Sequence, residues 1–94
     1  MNNQIVNPSS EEYKQNIQAI EHRDGFDLLK PVSFQYKQNP DTTHFGLLYE
    51  EVKNLYPEVC FENETKGISY IDFIAVLIKE VQDLRKRVSE LERK

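Results

Sequence analysis

In the stretch Asn7-Pro8-Ser9-Ser10-Glu11-Glu12-Tyr13-Lys14-Gln15-Asn16-Ile17, a serine is followed five residues later by a lysine. A serine hydroxyl attacks an amide only when a base removes its proton, and a neutral lysine can be that base. An ordinary lysine titrates near ~10.4, so neutrality at physiological pH demands burial or positive neighbours. On a continuous helix, residues five apart point about 140° away from each other, which would keep Ser9 and Lys14 apart. That objection falls away if Ser9 is a non-helical cap or lies in an extended arm. The same residues fit a capping box, with Ser9 accepting from a backbone N–H while Glu12 reaches back. Spacing alone favours the cap over the dyad, because a serine with a lysine five residues on is a common coincidence.

The other candidates for chemistry are thinner. His22 and His44 stand alone, Glu50 and Glu51 read as a solvated helix face, and three glycines build no phosphate loop. The single cysteine, Cys60, excludes an internal disulfide and a multi-thiolate zinc site within one chain. Flanked by Val59 and Phe61, it reads as a small buried hydrophobe, with a reactive thiol as the minority reading. No metal site and no cofactor is expected. A formal charge of −4 with mixed signs leaves no broad basic surface for counterion release, so no nucleic-acid partner is expected. No run approaches the roughly 20 apolar residues of a membrane span, and the N-terminus lacks the regions of a signal peptide. The expectation is a soluble chain without a membrane partner. Asn63-Glu64-Thr65 is a glycosylation sequon, relevant only in a secretory compartment for which nothing else argues.

The elements that must position these residues read as α+β. Ninety-four residues make one domain at most, and a chain of this size buries only about 60 to 65% of its unfolded surface, so a partner chain would help it. Residues 1–8 look like an extended arm or the end of an upstream segment, with the remaining domain over residues 9–94. From Ser9, the apolar residues Tyr13, Ile17 and Ile20 recur at helical spacing. Gly25 interrupts that pattern, Phe26, Leu28 and Leu29 form a short cluster, and Pro31 ends any helix by Lys30. Val32, Phe34 and Tyr36 alternate as one face of a strand, and Asn39-Pro40-Asp41 is turn chemistry. Leu48, Val52 and Leu55 share a helical face that Pro57 stops. Val59 to Tyr70 reads as a small antiparallel hairpin with its loop closing at Lys66-Gly67.

The clearest pattern lies at the C-terminus. Ile74, Leu77, Val81, Leu84, Val88 and Leu91 alternate at spacings of three and four, an a/d seam over three heptads in a helix of about residues 71–93. In a parallel neighbour, Glu80 at g faces Arg85 at e, and Arg87 at g faces Glu92 at e. Both pairs are of opposite charge, favouring a parallel bundle in register, though each exposed pair contributes only about 0.3 to 1 kcal/mol. Valine or isoleucine at a with leucine at d leans toward two strands, whereas Ile78 at an e position widens the apolar face. Heptads alone leave dimer and trimer open. A helix that packs its stripe on its own domain is the third possibility, but residues outside the seam after Lys79 are almost all polar or charged.

In order, these motifs resemble one family, the self-cleaving intramolecular chaperone domain at the C-terminus of endosialidases and other phage tail spikes and fibres. That family typically opens with Ser-Asp-x-Arg-x-Lys-x-Asn-Ile, and the stretch from Ser9 to Ile17 keeps the serine, the lysine (Lys14) and Asn16-Ile17. Leu29-Lys30-Pro31-Val32-Ser33-Phe34-Gln35-Tyr36-Lys37, Phe45-Gly46-Leu47-Leu48 with Glu51-Val52, and Tyr56-Pro57-Glu58-Val59 follow. Tyr70 and the helix after it look like the family's closing tyrosine and coiled coil. The resemblance runs from about Pro8 to the end and lies in the order of the motifs rather than in any one of them.

What the resemblance implies is a homotrimer whose helices gather three chains in register, with an upstream β-rich fibre or spike segment as folding client. It also implies autoproteolysis, with Ser9 as nucleophile and Lys14 as its base, at Pro8-Ser9 or Ser9-Ser10. The setting it implies is the virion, or the host cytoplasm during assembly. Related domains occur in membrane-bound transcription factors similar to the myelin regulatory factor. Three positions depart from the pattern: Ser10 stands for the aspartate, Glu12 for the arginine, and Tyr49-Glu50 for Ala-Gln. A carboxylate at Glu12 favours the protonated form of a nearby amine, which works against a neutral base. The alternative is a non-catalytic assembly module of the same fold in which Ser9 only caps a helix. Eight residues precede Ser9, so the resemblance implies either a domain taken from a longer protein or a small free-standing relative.

Overall fold

Ser69 opens the longest element. Its hydroxyl accepts from the Asp72 N–H at 3.3 Å, and the Phe73 N–H donates to its carbonyl at 3.1 Å, so the first unpaired groups of the helix are covered. In the computed structural model, which describes residues 7–94, this helix is α2, Tyr70–Glu92, about 35 Å long. Phe73 and Val76, three residues apart, face inward and are buried.

They meet the helix Tyr49–Leu55 (α1) and the 3₁₀ turn Pro57–Val59 that follows it. Val52 is fully buried, Tyr56 and Val59 nearly so, and the Tyr56 ring packs edge-on against Phe73 at 5.8 Å between centroids. Pro57 occupies the first position of its turn, where a missing N–H costs nothing. Around these five residues pack Phe26, Leu29, Leu47, Leu55, Cys60 and Ile68, each partly exposed. The core is small for the chain. Its radius of gyration is 16.9 Å, against the roughly 12 Å that a compact domain of this length would have.

Two separate two-stranded antiparallel sheets flank this core, where the sequence suggested one. Strands Val32–Tyr36 (β1) and Asn39–Gly46 (β2) form the first, and Cys60–Glu62 (β3) and Lys66–Ile68 (β4) the second. The alternation in β1 is as expected, but Asn39-Pro40-Asp41 belongs to β2 and the turn falls at Lys37-Gln38. Pro40 is tolerated because the register is interrupted there, between the pairs Phe34↔His44 and Tyr36↔Asn39. In the second hairpin the loop is residues 63–65, closed by the Asn63 N–H donating to the Thr65 carbonyl, so Lys66 and Gly67 are strand residues. Tyr70 ties the first hairpin to the long helix. Its hydroxyl accepts from the Leu47 N–H at 3.0 Å, and a Cβ added at Gly46 would lie 2.8 Å from that oxygen.

The N-terminal helix expected from Ser9 is not formed. One 3₁₀ turn, Glu11–Tyr13, is followed by irregular chain as far as Arg23. Tyr13, Ile17 and Ile20 have the spacing of a helical stripe, but all three are exposed, so no burial offsets the cost of forming the helix. Asn16 takes a left-handed φ of 55°, which also breaks a helix. Gly25, at φ 103°, then sets up the second 3₁₀ turn, Phe26–Leu28. Of the expected arm over residues 1–8, Asn7 and Pro8 are exposed and irregular, and the remainder lies outside the described residues. Among the described residues no helix is long and apolar enough to cross a membrane.

Candidate functional site

Ser9 lies just outside the 3₁₀ turn and Lys14 closes it. The Ser9 hydroxyl donates to the Asn7 carbonyl at 3.2 Å and makes no cap. The cap is Ser10, whose backbone is extended (φ −64°, ψ 147°) and whose hydroxyl accepts from the Glu12 N–H at 3.4 Å. The Ser9–Glu12 capping box is therefore corrected to a weak Ser10 cap, because the turn starts one residue later than the spacing suggested. The turn closes with the Tyr13 N–H on the Ser10 carbonyl at 3.0 Å and the Lys14 N–H on the Glu11 carbonyl at 3.1 Å. Since Ser9 is not in a helix, the 140° separation does not apply to it. Every residue from Asn7 to His22 is exposed, Ser9, Ser10 and Lys14 among them. The single chain thus presents the serine and the lysine on one short segment without the burial that a neutral lysine needs.

The segment is anchored downstream by a residue that the sequence did not advertise. Arg23 Nη1 donates to the Leu55 carbonyl and to Glu58 Oε1, both at 2.8 Å, while Nη2 pairs with Glu58 Oε2. The guanidinium sits over the Tyr56 ring, 5.1 Å from its centroid. Hydrogen bonding from Arg23, helped by a backbone hydrogen bond, holds the Glu58 carboxyl down to about 2. Burial pushes the Tyr56 hydroxyl up, with the Glu80 carboxylate adding to it. Beside it, His22 Nε2 meets Asp24 Oδ1 at 2.9 Å.

The seam residues of α2 stand where the heptads put them, on a face about a quarter turn from Phe73 and Val76. Ile74, Leu77, Ile78, Val81, Leu84, Val88 and Leu91 are all exposed, from 43% at Leu77 to 65% at Leu91. The helix packs on its own domain through Phe73 and Val76, whereas Leu77, Val81 and Leu84 only border an open groove with His22, Phe26 and Asp27 and stay exposed. Along α2 the ion pair within the chain joins Lys79 to Asp83 at 2.8 Å, and it holds the Asp83 carboxyl below its usual range. Among the described residues Glu80, Arg85, Arg87 and Glu92 have no ion-pair partner in their own chain.

Two smaller readings change. Glu51 is half-buried with one carboxylate oxygen lacking any partner among the described residues, so it is not on a solvated face. Cys60 is partly rather than fully buried, and that burial pushes its thiol up, which keeps it neutral and weakly nucleophilic. Among the described residues no group of three histidine, cysteine, aspartate or glutamate side chains is placed to hold a metal ion.

No curated protein and no solved structure matches the chain. The family described as chaperone of endosialidase does match, over residues 9–60, more than half of the 94-residue chain. The matched span begins at Ser9, takes in the irregular segment that follows it, the first sheet, α1 and the turn after it, and ends at Cys60 at the start of β3. The chain belongs to the chaperone-of-endosialidase family.

Proposed function

We propose that this chain is a trimerising intramolecular chaperone that assists the folding of an upstream fibre or spike segment and then releases itself by autoproteolysis at Ser9. The observation that carries the reading is the uncovered heptad face of α2, joined to a core of five buried residues in a chain too extended to be self-sufficient. Family membership supplies the chaperone role. Three copies in register would cover Val81, Leu84, Val88 and Leu91 and pair Glu80 with Arg85 and Arg87 with Glu92 across chains. Assembly takes place in the virion or the host cytoplasm.

In the cleavage step, neutral Lys14 takes the Ser9 hydroxyl proton as the oxygen attacks the Pro8 carbonyl carbon. The Pro8–Ser9 amide then breaks, its nitrogen takes the proton back from Lys14, and an ester remains between Pro8 and the Ser9 oxygen. Water hydrolyses that ester, leaving a carboxylate on Pro8 and a free amine on Ser9. Cutting at Ser9-Ser10 is the alternative register. Trimer contacts on the exposed segment would supply the desolvation that Lys14 lacks in one chain, so cleavage would report completed assembly.

The test is mass spectrometry of a chain carrying its native upstream segment. The expected result is a new N-terminus at Ser9 in the wild type and none in Ser9→Ala or Lys14→Ala. An uncut wild type, or Ser9→Ala cut at the same rate, overturns the protease reading. It would leave a non-catalytic assembly module, the reading that Glu12 in place of the family's arginine favours.

A further inference from the structure

Among the described residues the hydrogen bonds of residues 7–17 are all local, whereas from Gln18 onward the same segment, though exposed, borders a groove on the core. Gln18 to Arg23 form one wall of a groove of about 480 Å³ whose other wall includes Tyr56, Glu58 and Val76. Arg23 is where that wall is fastened. Its planar fork takes both Glu58 oxygens and, at the same time, the carbonyl of Leu55, a last-turn α1 carbonyl that has no intrahelical partner. Tyr56 supplies the ring beneath it. Between this fastening and Lys14 lie only irregular residues, one of them left-handed Asn16.

We propose that the latch formed by Arg23 with Leu55, Tyr56 and Glu58 is a positioning device for self-cleavage, fixing where the Ser9–Lys14 segment leaves the core and therefore where it arrives among assembled chains. The proposal rests on the self-cleavage reading above. Arg23 touches neither Ser9 nor Lys14, so it acts through the backbone. Freeing the segment at residue 23 enlarges the volume that Ser9 and Lys14 sample, and reactions that depend on near-attack geometry lose rate in proportion. Lysine cannot replace the arginine fully, because one ammonium does not span a carboxylate and a carbonyl with fixed fork geometry.

The experiment compares Arg23, Arg23→Lys, Arg23→Ala and Glu58→Gln in the chain with its native upstream segment. It follows the first-order cleavage rate, the sedimentation mass, protease nicking of residues 9–22 and hydrogen exchange of α2, the last two in an uncleavable Ser9→Ala background. Arg23→Ala is expected to slow cleavage by about tenfold to a hundredfold and to speed nicking in residues 14–22. Exchange in α2 and the number of chains should stay unchanged, and Arg23→Lys should fall between. A cleavage rate unmoved by Arg23→Ala overturns the latch and leaves self-cleavage standing. So does a slowing that merely follows lost protection in α2 or lost assembly. A wild type that is never cut overturns both, even if resistance to nicking shows the segment held.

Discussion

The segment Ser9–Ile20 and the distal half of α2 both carry apolar side chains that their own chain leaves uncovered, and they do so on different backbones. Tyr13 and Ile17 are 66% and 65% exposed, Leu84 and Leu91 61% and 65%. In α2 each backbone group is satisfied by the next turn, so the stripe is displayed in fixed geometry before any partner arrives. In the segment one 3₁₀ turn is the only regular structure, and among the described residues its hydrogen bonds up to Gln18 are all local. An ordered stripe can select a partner in register. An irregular one with the same exposure can only follow a surface that assembly has already built. Under the proposed function, recognition therefore belongs to α2 and the chemistry on the segment depends on it.

The largest effect should come from breaking the stripe. Val81→Asp together with Leu84→Asp places two charges per chain in the seam, and sedimentation equilibrium is expected to move from three chains to one, with self-cleavage abolished. A variant that stays trimeric would show that the contact lies elsewhere, and one that stays dimeric from the start would remove the chaperone geometry. Next comes the contrast between the two faces of the same helix. Phe73→Ala empties a buried site against Tyr56 and should cost about 3 to 5 kcal/mol in denaturant unfolding, enough to unfold so small a domain. In the single-chain background created by the Val81 and Leu84 changes, Leu91→Ala should cost less than about 0.5 kcal/mol.

What could be read from the sequence divides along the same line. Strand β1, helix α1, the second hairpin and α2 were legible because their patterns are local and their backbones satisfy themselves. The heptads said nothing of Phe73 and Val76, which are buried on another face of the same helix. The same periodicity misled at Tyr13, Ile17 and Ile20. Three apolar residues at helical spacing predict a helix only if something covers them, and among the described residues all three stay exposed. Ser10 rather than Ser9 caps the turn for the related reason that a one-turn element has too little cooperativity to fix its start. Arg23 was invisible because its partner Glu58 is 35 residues away and no spacing rule links them. Ser9 and Lys14 were legible as a pair but not as a site, since the single chain leaves both in water.

Caps give a smaller version of the contrast. Ser69 fixes the start of a 23-residue helix, so Ser69→Ala should lower stability by about 1 kcal/mol. Ser10 makes a 3.4 Å bond in an exposed turn, and Ser10→Ala should change unfolding by no more than about 0.5 kcal/mol. Equal losses would mean that the segment is already ordered in the free chain.

The smallest effect expected is a pH dependence that separates the two acid-lowered carboxylates. Glu58 is held down to about 2 in the folded chain, chiefly by Arg23, against an unfolded value of ~4.3. A depressed folded value means that the stabilisation is complete above the unfolded value and is lost as pH falls through the folded one. The window is therefore about pH 4.3 down to about 2. Solvent screens this half-exposed pair, so the urea midpoint should fall only slightly more steeply in the wild type than in Glu58→Gln. Asp83 is lowered by Lys79 in the same direction, and Asp83→Asn removes its share of the acid limb likewise. The two differ in what is released. Asp83 and Lys79 belong to one helix, whose backbone holds them four residues apart whether or not they pair. Glu58 and Arg23 join the core to a segment with no regular backbone of its own, so protonating Glu58 should loosen residues 14–22 to protease nicking while protonating Asp83 loosens nothing. Nicking that responds equally to Glu58→Gln and Asp83→Asn would mean that the segment is held by the general field of α2 and not by its latch.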